Sequence, residues 1–541
     1  MGKYLSIIIM TGVAFFSLAG CGGGGSSSDV QDNILRVNIN VEVKDLDPQL
    51  VTGVAEHRVN AALFEGLVDL DSATLEPVPG AAESWVLSED ERTYTFNLRK
   101  DGTWSNGDPV TAQDFYYSYK RMLSPALAAE YAYLLHCIKN AKAFNEGTLT
   151  DFDEVGVKVL DEHTLELRLE NPTPYLLAMQ MHQAWYPVHQ PTIEAYGDMT
   201  QRGTKWTRAG NHVGNGPFRL TEWRPNEIIK VVRNEHYWDR AYVRLEGIDF
   251  FPIDDLQTEE RSFRTGKLHM TGDLAIDKIA KYRETNPDAL HIDPYLGVYF
   301  YRLNVTRAPF NDKRVRQALS LATDRQQLVD NVTKGGETAA FHYVPPGTGN
   351  FVSENILAFD PEKARELLAE AGYPNGENMP PIEILYNTSE NHRRIAEAIQ
   401  QMWKKHLGVD VKLLNQDWKV YLSSTNNLDY SIARAAWIGD VVDPVNFLEM
   451  WLTDGGNNRT GYSRPEYDAL IQQAYAETDP AKRRDVLKAA EDMVLEDLPI
   501  IPIYFYTRKY LQAPEVKGYA PNVLGYMRFQ EFYMDYGEAD E

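Results

Sequence analysis

The length of the chain is the feature that most constrains its fold. One hydrophobic core stops growing at roughly 250–300 residues, whereas this chain has 541 residues. Hydrophobic residues make up 43% of the sequence and charged residues 24%, as in globular domains and unlike disordered chains or multi-span membrane proteins. We therefore predict at least two globular domains.

Helix and strand signals alternate along the chain. The clearest helix has Asp360 as its N-cap, Pro361 at its first position and Gly372 as its terminator. Other segments with helical or strand periodicity are a helix over 392–407 that ends at Gly408, a helix after Asp312 that extends through 328, and strands over 93–99, 164–169 and 409–413. The interleaving predicts an α/β fold.

The charge and the cysteines exclude several classes of protein. The formal net charge is −24, whereas nucleic-acid binding needs clustered lysine and arginine. Two cysteines, Cys21 and Cys137, are too few for a disulfide framework or a four-cysteine zinc site. We predict no nucleic-acid partner and a buried free thiol at Cys137.

The N-terminus has the organisation of an export signal. Lys3 is followed by an apolar run over 5–16, too short to span a bilayer comfortably, and then by LAGC at 18–21. This motif resembles the bacterial lipobox, in which the signal peptide is cleaved off just before the cysteine and the cysteine is acylated. Residues 1–20 are a predicted signal peptide, Cys21 a lipid anchor and residues 21–32 a Gly/Ser-rich tether. The alternative is a plain secretory signal with an incidental cysteine.

Motifs for catalysis are missing from the sequence. The patterns of nucleophile elbows, zinc proteases, P-loops and dinucleotide-binding turns do not occur. Adjacent carboxylates such as Asp254 and Asp255 are typical of a solvated surface, and no histidine pair has metal-ligand spacing. We predict a binding protein without cofactor or metal rather than an enzyme.

Eleven segments, distributed over most of the chain, resemble one family. They are LDPQ at 46–49, LFEGL at 63–67, WSNGDPVTA at 104–112, DF at 114–115, NGPF at 215–218, NEHYW at 234–238, APFND at 308–312, VRQAL at 315–319, YNTS at 386–389, NQDWK at 415–419 and ARAAWIGD at 433–440. In this order they resemble the peptide-binding family of extracellular solute-binding proteins of ABC transporters.

The resemblance implies an architecture. The family has the two-lobed α/β fold of type II periplasmic binding proteins, in which two strands cross between the lobes and an extra domain is attached to the first lobe. By chain order, lobe I comprises residues 33–66, 188–296 and 503–541, the extra domain residues 67–187, and the other lobe residues 297–502. The resemblance places the ligand between the lobes.

The resemblance also assigns the two ends of a bound peptide. Asp440 matches the aspartate that binds the α-ammonium group, while Arg434 and His392 match groups that receive the carboxylate. A buried ammonium needs a carboxylate partner, and a guanidinium holds a carboxylate bidentately. Taken alone, Asp440 could be a solvated turn residue, Arg434 a strand-edge ion pair and His392 a helix N-terminal residue.

Further positions are assigned by the resemblance between these ends. Trp418 and Trp437 match walls of side-chain pockets. The backbones that pair with the peptide match Gly53, Val54, Ala435 and Ala436, and a ligand-facing tyrosine matches Tyr131, subject to a one-residue slip. The chain departs from the oligopeptide-binding members where their disulfide would join Gly297 and Ile438, at Thr52, which replaces a glutamate, and at Gly272–Asp273, which replaces an asparagine pair.

The implied function is capture of short peptides and their delivery to the permease and ATPase subunits of an importer. The predicted protein is a monomer outside the cytoplasm, in the periplasm or on the cell surface, anchored to the bilayer through Cys21. Three alternatives stay open: a relative specialised for murein peptides, dipeptides or nickel complexes, a surface peptide-binding chaperone or adhesin, and a hydrolase.

Overall fold

The computed structural model describes residues 33–537. The predicted signal peptide, Cys21 and the tether therefore lie outside the described residues. No helix within 33–537 has the length and apolar character needed to cross a membrane.

Strands occur along the whole described chain. They are β1 (Ile34–Asn38), β2 (Val68–Leu70), β3 (Pro77–Pro79), β4 (Ala82–Leu87), β5 (Thr93–Leu98), β6 (Val157–Asp161), β7 (Thr164–Arg168), β8 (Phe218–Arg224), β9 (Ile228–Arg233), β10 (Gly247–Phe251), β11 (Leu290–Leu303), β12 (Thr338–Ala339), β13 (Ile382–Asn387), β14 (Val411–Gln416), β15 (Ile432–Ile438), β16 (Ile500–Leu511), β17 (Val516–Lys517) and β18 (Tyr533–Met534).

Helices alternate with these strands. The α-helices are α1 (Val54–Leu63), α2 (Ala112–Leu123), α3 (Ala141–Asn145), α4 (Leu176–Met179), α5 (Gln190–Tyr196), α6 (Leu256–Arg264), α7 (Ile276–Thr285), α8 (Lys313–Leu321), α9 (Arg325–Leu328), α10 (Pro361–Glu370), α11 (Glu390–Leu407), α12 (Trp418–Asn426), α13 (Val445–Leu448), α14 (Pro465–Ala476) and α15 (Pro480–Asp497).

Most strands form three larger sheets. One has the order β1-β10-β9-β8, with β1 parallel to β10, and a second, antiparallel sheet has the order β4-β5-β7-β6. The third has the order β12-β16-β11-β15-β13-β14. The first two sheets share one hydrophobic core that includes Leu35, Phe96 and Phe250.

The six-stranded sheet has a core on each face because side chains alternate along β11. Tyr299 and Tyr301 belong to one buried cluster, and Val298 and Phe300 belong to another. Helices α8, α10 and α11 contribute to the first cluster, and α13, α14 and α15 contribute to the second. The edge of β15 is thereby held between two packed layers.

Two long antiparallel strands, β11 and β16, are paired along nearly their full lengths, from Leu290 opposite Leu511 to Arg302 opposite Ile500. The predicted domain boundaries at 296/297 and 502/503 lie within these strands. The division into lobe I, an extra domain over 67–187 and a lobe over 297–502 stays a prediction.

The local predictions agree with the structure except at some helix and strand ends. Asp360 caps α10 by accepting from the backbone N–H groups of residues 362 and 363, and α11 ends at Gly408, whose φ is 73°. However, α11 begins two residues earlier than predicted, and β14 begins at Val411 rather than at 409. The helix predicted after Asp312 is interrupted after Leu321 and resumes at Arg325.

The described cysteine, Cys137, is free and partly buried rather than fully buried. Burial raises the pKa of its thiol to about 12, so the group is protonated and unreactive at neutral pH.

A buried ion pair ties helix α2 to the segment after β1. Arg121 donates to both carboxylate oxygens of Asp47, at 2.6 and 3.1 Å. The Arg121 side chain is 0% exposed and that of Asp47 3%. Arg121 also donates to the side chain of Gln49 at 2.6 Å and to the carbonyl of Met199 at 2.7 Å. One guanidinium therefore joins three parts of the chain.

We expect the replacement Asp47→Ala to lower stability by about 3–5 kcal/mol, because it leaves a buried guanidinium without its counter-charge. The control Glu146→Ala removes one partner of an exposed pair with Lys142 and should cost about 0–1 kcal/mol. Thermal unfolding followed by calorimetry measures both. Equal melting temperatures for the two variants would contradict this role of the buried pair.

Candidate functional site

The site is organised around the unpaired edge of β15. One edge of β15 pairs with β11 from Ile432 to Ile438. On the other edge, β13 pairs only with Ile432 and Ala433. Among the described strands, none pairs with that edge beyond Ala433, so the backbone of 435–438 is available to an added strand.

Asp440 lies two residues beyond the end of β15. Its backbone N–H donates to Oδ1 of Asn446 at 2.8 Å. Its carboxylate Oδ2 is buried and has no hydrogen-bond partner within residues 33–537. Burial raises the pKa of this carboxyl to about 7. The group is a buried acid that lacks a cation.

His182 approaches Asp440 from the other side of the site, with Nε2 3.8 Å from Oδ1. Burial, together with the nearby His57, lowers the pKa of His182 to about 3. The ring is therefore neutral at pH 7, and the contact does not neutralise the carboxylate. Tyr131 packs edge-on against the same ring, with the ring centroids 4.7 Å apart, and its predicted contact with the ligand stays a prediction.

A second carboxyl, that of Glu449, lies behind Asp440. The amide of Asn446 bridges the two residues by accepting from the backbone of Asp440 and donating to Glu449 at 3.5 Å. Burial raises the pKa of Glu449 to about 7, with a contribution from the charge of Asp440. The hydroxyl of Tyr475 donates to Glu449 at 2.6 Å, so this carboxylate has partners that Asp440 lacks.

Arg434 lies on β15, six residues before Asp440. Its Nη2 donates to the hydroxyl of Tyr506 at 2.8 Å, and its Nη1 to the side-chain oxygen of Asn387 at 3.3 Å. The guanidinium carbon lies 4.9 Å from the centre of the Tyr299 ring. Its Nε is buried and finds no acceptor among the described residues. A guanidinium with neutral neighbours can receive a carboxylate.

His392 lies in the first turn of α11 and faces the same tyrosine. Its ring centroid is 5.7 Å from that of Tyr299, and its Nδ1 is buried without a partner in the described part of the chain. Burial lowers the pKa of His392 well below its usual value, and the charge of Arg434 lowers it further. His392 is thus a neutral hydrogen-bonding group beside a cation.

The two predicted tryptophans have different environments. Trp418 begins α12, is half-buried and stacks on Tyr421 at 5.6 Å; the Tyr421 hydroxyl donates to the carbonyl of Arg434. Trp437 is 8% exposed and belongs to the core on one face of the sheet. The role of Trp437 as a pocket wall stays a prediction, and little of its surface is open.

The predicted backbone contacts come from both sides of the site. Ala435 is buried and Ala436 half-buried on the open edge of β15. Gly53 has an extended backbone and is the N-cap of α1, whose first residue, Val54, is 47% exposed. The first N–H groups of a helix have no partner within the helix. These four residues stay predicted ligand contacts.

At two of the departures from the family pattern, a neighbouring side chain lies close to a glycine. Gly297 lies directly opposite Ile438 in the β11–β15 ladder, and a Cβ atom on Gly297 would lie 2.5 Å from Cδ1 of Ile438. The Ile438 side chain therefore occupies the space in which the disulfide of the oligopeptide-binding members would lie. At Gly272, the side chain of Asn40 occupies the place of a Cβ atom.

Contacts also join residues 130–133 to the segment after β15. The side chain of Asn457 donates to the hydroxyl of Tyr133 at 3.1 Å, and Arg459 forms an ion pair with Glu130 at 3.4 Å. Both contacts connect the predicted extra domain to the predicted lobe over 297–502.

A separate cavity of about 500 Å³ lies behind Asp440. Its walls include Tyr133, Cys137, Tyr175, Asn446 and Glu449, and none of the predicted ligand residues lines it. Among the described residues, no group of three or more histidine, cysteine, aspartate or glutamate side chains is placed to hold a metal ion.

The sequence did not point to His182, Asn446 or Tyr506. Each lies in a segment without a motif, and two of them are more than 50 residues from the partner that they contact in the site. Only the folded structure brings His182 to Asp440 and Tyr506 to Arg434. For Asn446 the available signal was its position six residues after Asp440, which is too weak to single it out.

Comparison with known proteins identifies the family. The family model described as bacterial extracellular solute-binding proteins, family 5 Middle, matches residues 76–459. The oligopeptide-binding protein OppA of Bacillus subtilis (strain 168) is 37% identical over an alignment that covers 98% of this chain and 100% of that protein.

Solved structures give the same result. OppA of Haemophilus influenzae in complex with the peptide RPPGFSPFR is 35% identical to this chain. Its TM-score is 0.87, and the match covers 93% of this chain and 99% of that one. The murein tripeptide binding protein MppA of Escherichia coli is 36% identical, with a TM-score of 0.88 and the same coverage. The unliganded open form of MppA, which covers 93% and 98%, gives a TM-score of only 0.67.

These matches confirm the predicted fold class, a mixed α/β type II periplasmic binding protein with two lobes and an extra domain. Because the family model matches more than half of the chain and the B. subtilis relative aligns over nearly all of it, the chain belongs to the bacterial extracellular solute-binding proteins of family 5.

Proposed function

We propose that this protein captures short peptides between its lobes and delivers them to the permease and ATPase subunits of an ABC importer. The observation that carries the proposal is a pair of half-buried charged groups near the two ends of an open strand edge, each with a buried polar atom that has no partner within residues 33–537. Asp440 lacks a cation, and Arg434 has only neutral partners and an unpartnered Nε. The ammonium and carboxylate groups of a peptide supply the two missing charges.

The spacing of these groups fits a short extended ligand. Arg434 and Asp440 are six positions apart, and since β15 continues to Ile438, their Cα atoms are separated by at most about 20 Å. The two side chains take up part of that distance, and His392 extends the carboxylate-binding end. A peptide of a few residues can therefore pair its backbone with 435–438 while its two ends reach the charged groups.

The arrangement of the lobes supports the same function. The TM-score is 0.87 with a peptide-bound relative and 0.67 with an unliganded open one, although both are about equally similar in sequence. The lobes therefore have the closed relationship in which a ligand is enclosed. A ligand that contacts both lobes stabilises this form relative to the open one, and the transporter would recognise the closed form.

The cellular setting follows from the N-terminal sequence. We propose an exported monomer that is anchored to a bacterial membrane through acylated Cys21 and held off the surface by the tether over 21–32. The support is the LAGC motif at 18–21 and the Gly/Ser run after it. The protein would work without a cofactor and without catalysis of its own, since the family serves transport.

The specialised alternative is a receptor for murein peptides, because the murein tripeptide binding protein MppA is as similar in structure, with a TM-score of 0.88, as the peptide-bound OppA, with 0.87. Both functions use a terminal ammonium group and a carboxylate. A panel of α-linked tripeptides and murein tripeptide, titrated into the protein by calorimetry, separates them, because a specialised receptor binds the murein ligand alone.

We expect Asp440→Asn to weaken the binding of an unmodified tripeptide by about two to four decades, since it leaves a buried ammonium unpaired at a cost of about 3–5 kcal/mol. Isothermal titration calorimetry measures the change. The control Asp429→Asn alters a carboxylate that is 79% exposed in the same lobe and should leave the affinity within about a factor of two.

A double cycle makes this test specific for the ammonium group. An N-acetylated tripeptide should bind the wild-type protein about as weakly as the free tripeptide binds Asp440→Asn, and the two losses should not add. Additive losses would place the peptide amine away from Asp440 and contradict the assignment.

Peptide affinity should also fall with decreasing pH, by about tenfold per unit below pH 7. In the free protein the pKa of Asp440 is raised to about 7, whereas a bound ammonium favours the ionised form and lowers that pKa. Binding below pH 7 therefore releases a proton, which calorimetry detects in buffers of different ionisation enthalpy.

Glu449 titrates in the same range, so the pH series needs two variants. The pH dependence should disappear in Asp440→Asn and persist in Glu449→Gln. If it disappeared only in Glu449→Gln, the proton would belong to Glu449 and the role of Asp440 in this linkage would be wrong.

A further inference from the structure

Two buried arginines, Arg58 and Arg508, are not used by the peptide-terminus contacts described above. Arg58 lies on α1, four residues after Val54, and is 9% exposed. Arg508 lies on β16 and is 5% exposed. They come from opposite ends of the chain and are both close to Tyr519: burial raises the pKa of Tyr519, the charges of Arg508 and Arg58 oppose this shift, and the Tyr519 hydroxyl accepts from Arg508.

Within residues 33–537, neither arginine forms an ion pair, and several of their N–H donors have no hydrogen-bond partner. Nε of Arg58 and both Nε and Nη2 of Arg508 are buried without a hydrogen-bond partner anywhere in residues 33–537. The Nη1 of Arg508 donates to the hydroxyl of Tyr519, and its guanidinium carbon lies 4.5 Å from the centre of the Tyr510 ring. Over the same residues, neither guanidinium forms an ion pair with a carboxylate.

No nearby acid forms an ion pair with either arginine among residues 33–537. Asp293 is opposite Arg508 in the β11–β16 ladder, and its carboxylate accepts from the hydroxyl of Tyr510 at 2.9 Å. The carboxyl of Asp273, which interacts with the charge of Arg58, accepts from the backbone N–H of Leu274 at 2.8 Å. Glu259 is close enough to influence Arg58, yet burial raises the pKa of Glu259 to about 8, so this carboxyl is mostly protonated at pH 7. Burial and the charge of Arg508 lower the pKa of Arg58 to about 10.

Other buried arginines of this protein show how such a group is ordinarily satisfied. Arg121 has the carboxylate of Asp47, and Arg325 donates to three backbone carbonyls and the hydroxyl of Ser320. Two like charges that are buried together without such partners destabilise the protein unless an anion joins them. Arg58 and Arg508 thus have unused donors and unused charge.

Two series of contacts connect this pair to the two ends of the proposed peptide. Arg58 follows His57, whose ring stacks on that of His182, beside Asp440, with the centroids 5.9 Å apart. Arg508 is two residues from Tyr506, which accepts from Arg434. Tyr295, which influences the pKa of Arg58, packs against Tyr506 at 6.4 Å. These contacts make the pair a candidate neighbour of a peptide that extends from Asp440 to Arg434.

We propose that Arg58 and Arg508 form an anion subsite that selects peptides carrying an acidic side chain between their termini. The inference rests on the proposed function, because it needs the peptide anchored at Asp440 and Arg434. An aspartate or glutamate carboxylate fits the chemistry, since it accepts several N–H donors and neutralises both guanidinium groups.

The test compares glutamate with glutamine, which has nearly the same shape and no charge, at each of the three positions of an alanine tripeptide. At one position or more, glutamate should bind the wild-type protein about 10–100-fold more tightly than glutamine, the worth of a hydrogen-bonded charge. Calorimetry gives the ratio of the two dissociation constants. In Arg58→Met this ratio should fall to about threefold or less.

The control variants separate charge from shape. Arg58→Lys keeps the charge and should keep part of the preference for glutamate. Arg307→Met removes an arginine that is 55% exposed and should leave the ratio unchanged. Since Arg58 has no ion-pair partner to lose, Arg58→Met should fold and melt at or above the wild-type temperature without ligand. A large fall in that temperature would contradict the absence of a counter-charge.

The outcomes for the wild-type protein distinguish this proposal from the proposed function. If no tripeptide binds, both are wrong. If tripeptides bind but glutamate and glutamine are equal at every position, only the anion subsite is wrong. Inorganic phosphate is the probe for a free anion: if phosphate binds without peptide, in a manner that Arg58→Met abolishes, while glutamate gives no advantage, the subsite holds a free anion and selection of acidic peptides is overturned.

Discussion

A charge cannot be buried cheaply without a partner, and this constraint governs the interior between the lobes. Asp440 and Arg434 are both half-buried, with a buried Oδ2 and a buried Nε, and each is held in place by neutral groups, Asn446 for the first and Tyr506 with Asn387 for the second. Neutral partners fix the positions of the side chains but leave their charges uncompensated. We therefore propose that the site binds a ligand with a positive and a negative end, and that the backbone of β15 between these groups pairs with an extended chain.

The fold produces this arrangement by fixing β15 on one edge only. Its pairing with β11 is complete, and β11 is in turn paired with β16 along nearly its whole length. Because β13 leaves β15 after Ala433, an open edge begins near Arg434 and continues to the turn at Gly439. The facing side chains include His57 of α1, whose ring stacks on that of His182 beside Asp440. The polar contacts of Asn457 with Tyr133 and of Arg459 with Glu130 join the predicted extra domain to the predicted lobe over 297–502.

Much of the local structure could be predicted from the sequence, because helix signals are short-range. Asp360 and Gly408 mark helix ends through capping and a left-handed backbone, and both do so in the structure. The break between α8 and α9 was missed, since a continuous apolar periodicity hides a short interruption. The assignments of Asp440 and Arg434 came from resemblance, not from periodicity. Arg58 could not be predicted at all, because its lack of a counter-charge depends on which distant residues surround it.

We propose that the termini of a peptide complete the charges at Asp440 and Arg434, and a crystal structure of the protein with a bound alanine tripeptide would show whether they do. We expect the peptide ammonium within about 2.7–3.2 Å of a carboxylate oxygen of Asp440, the peptide backbone paired with residues 435–438, and the terminal carboxylate on Arg434 or His392. A peptide bound in the reverse direction, or one bound elsewhere with Asp440 still unpartnered, would contradict it.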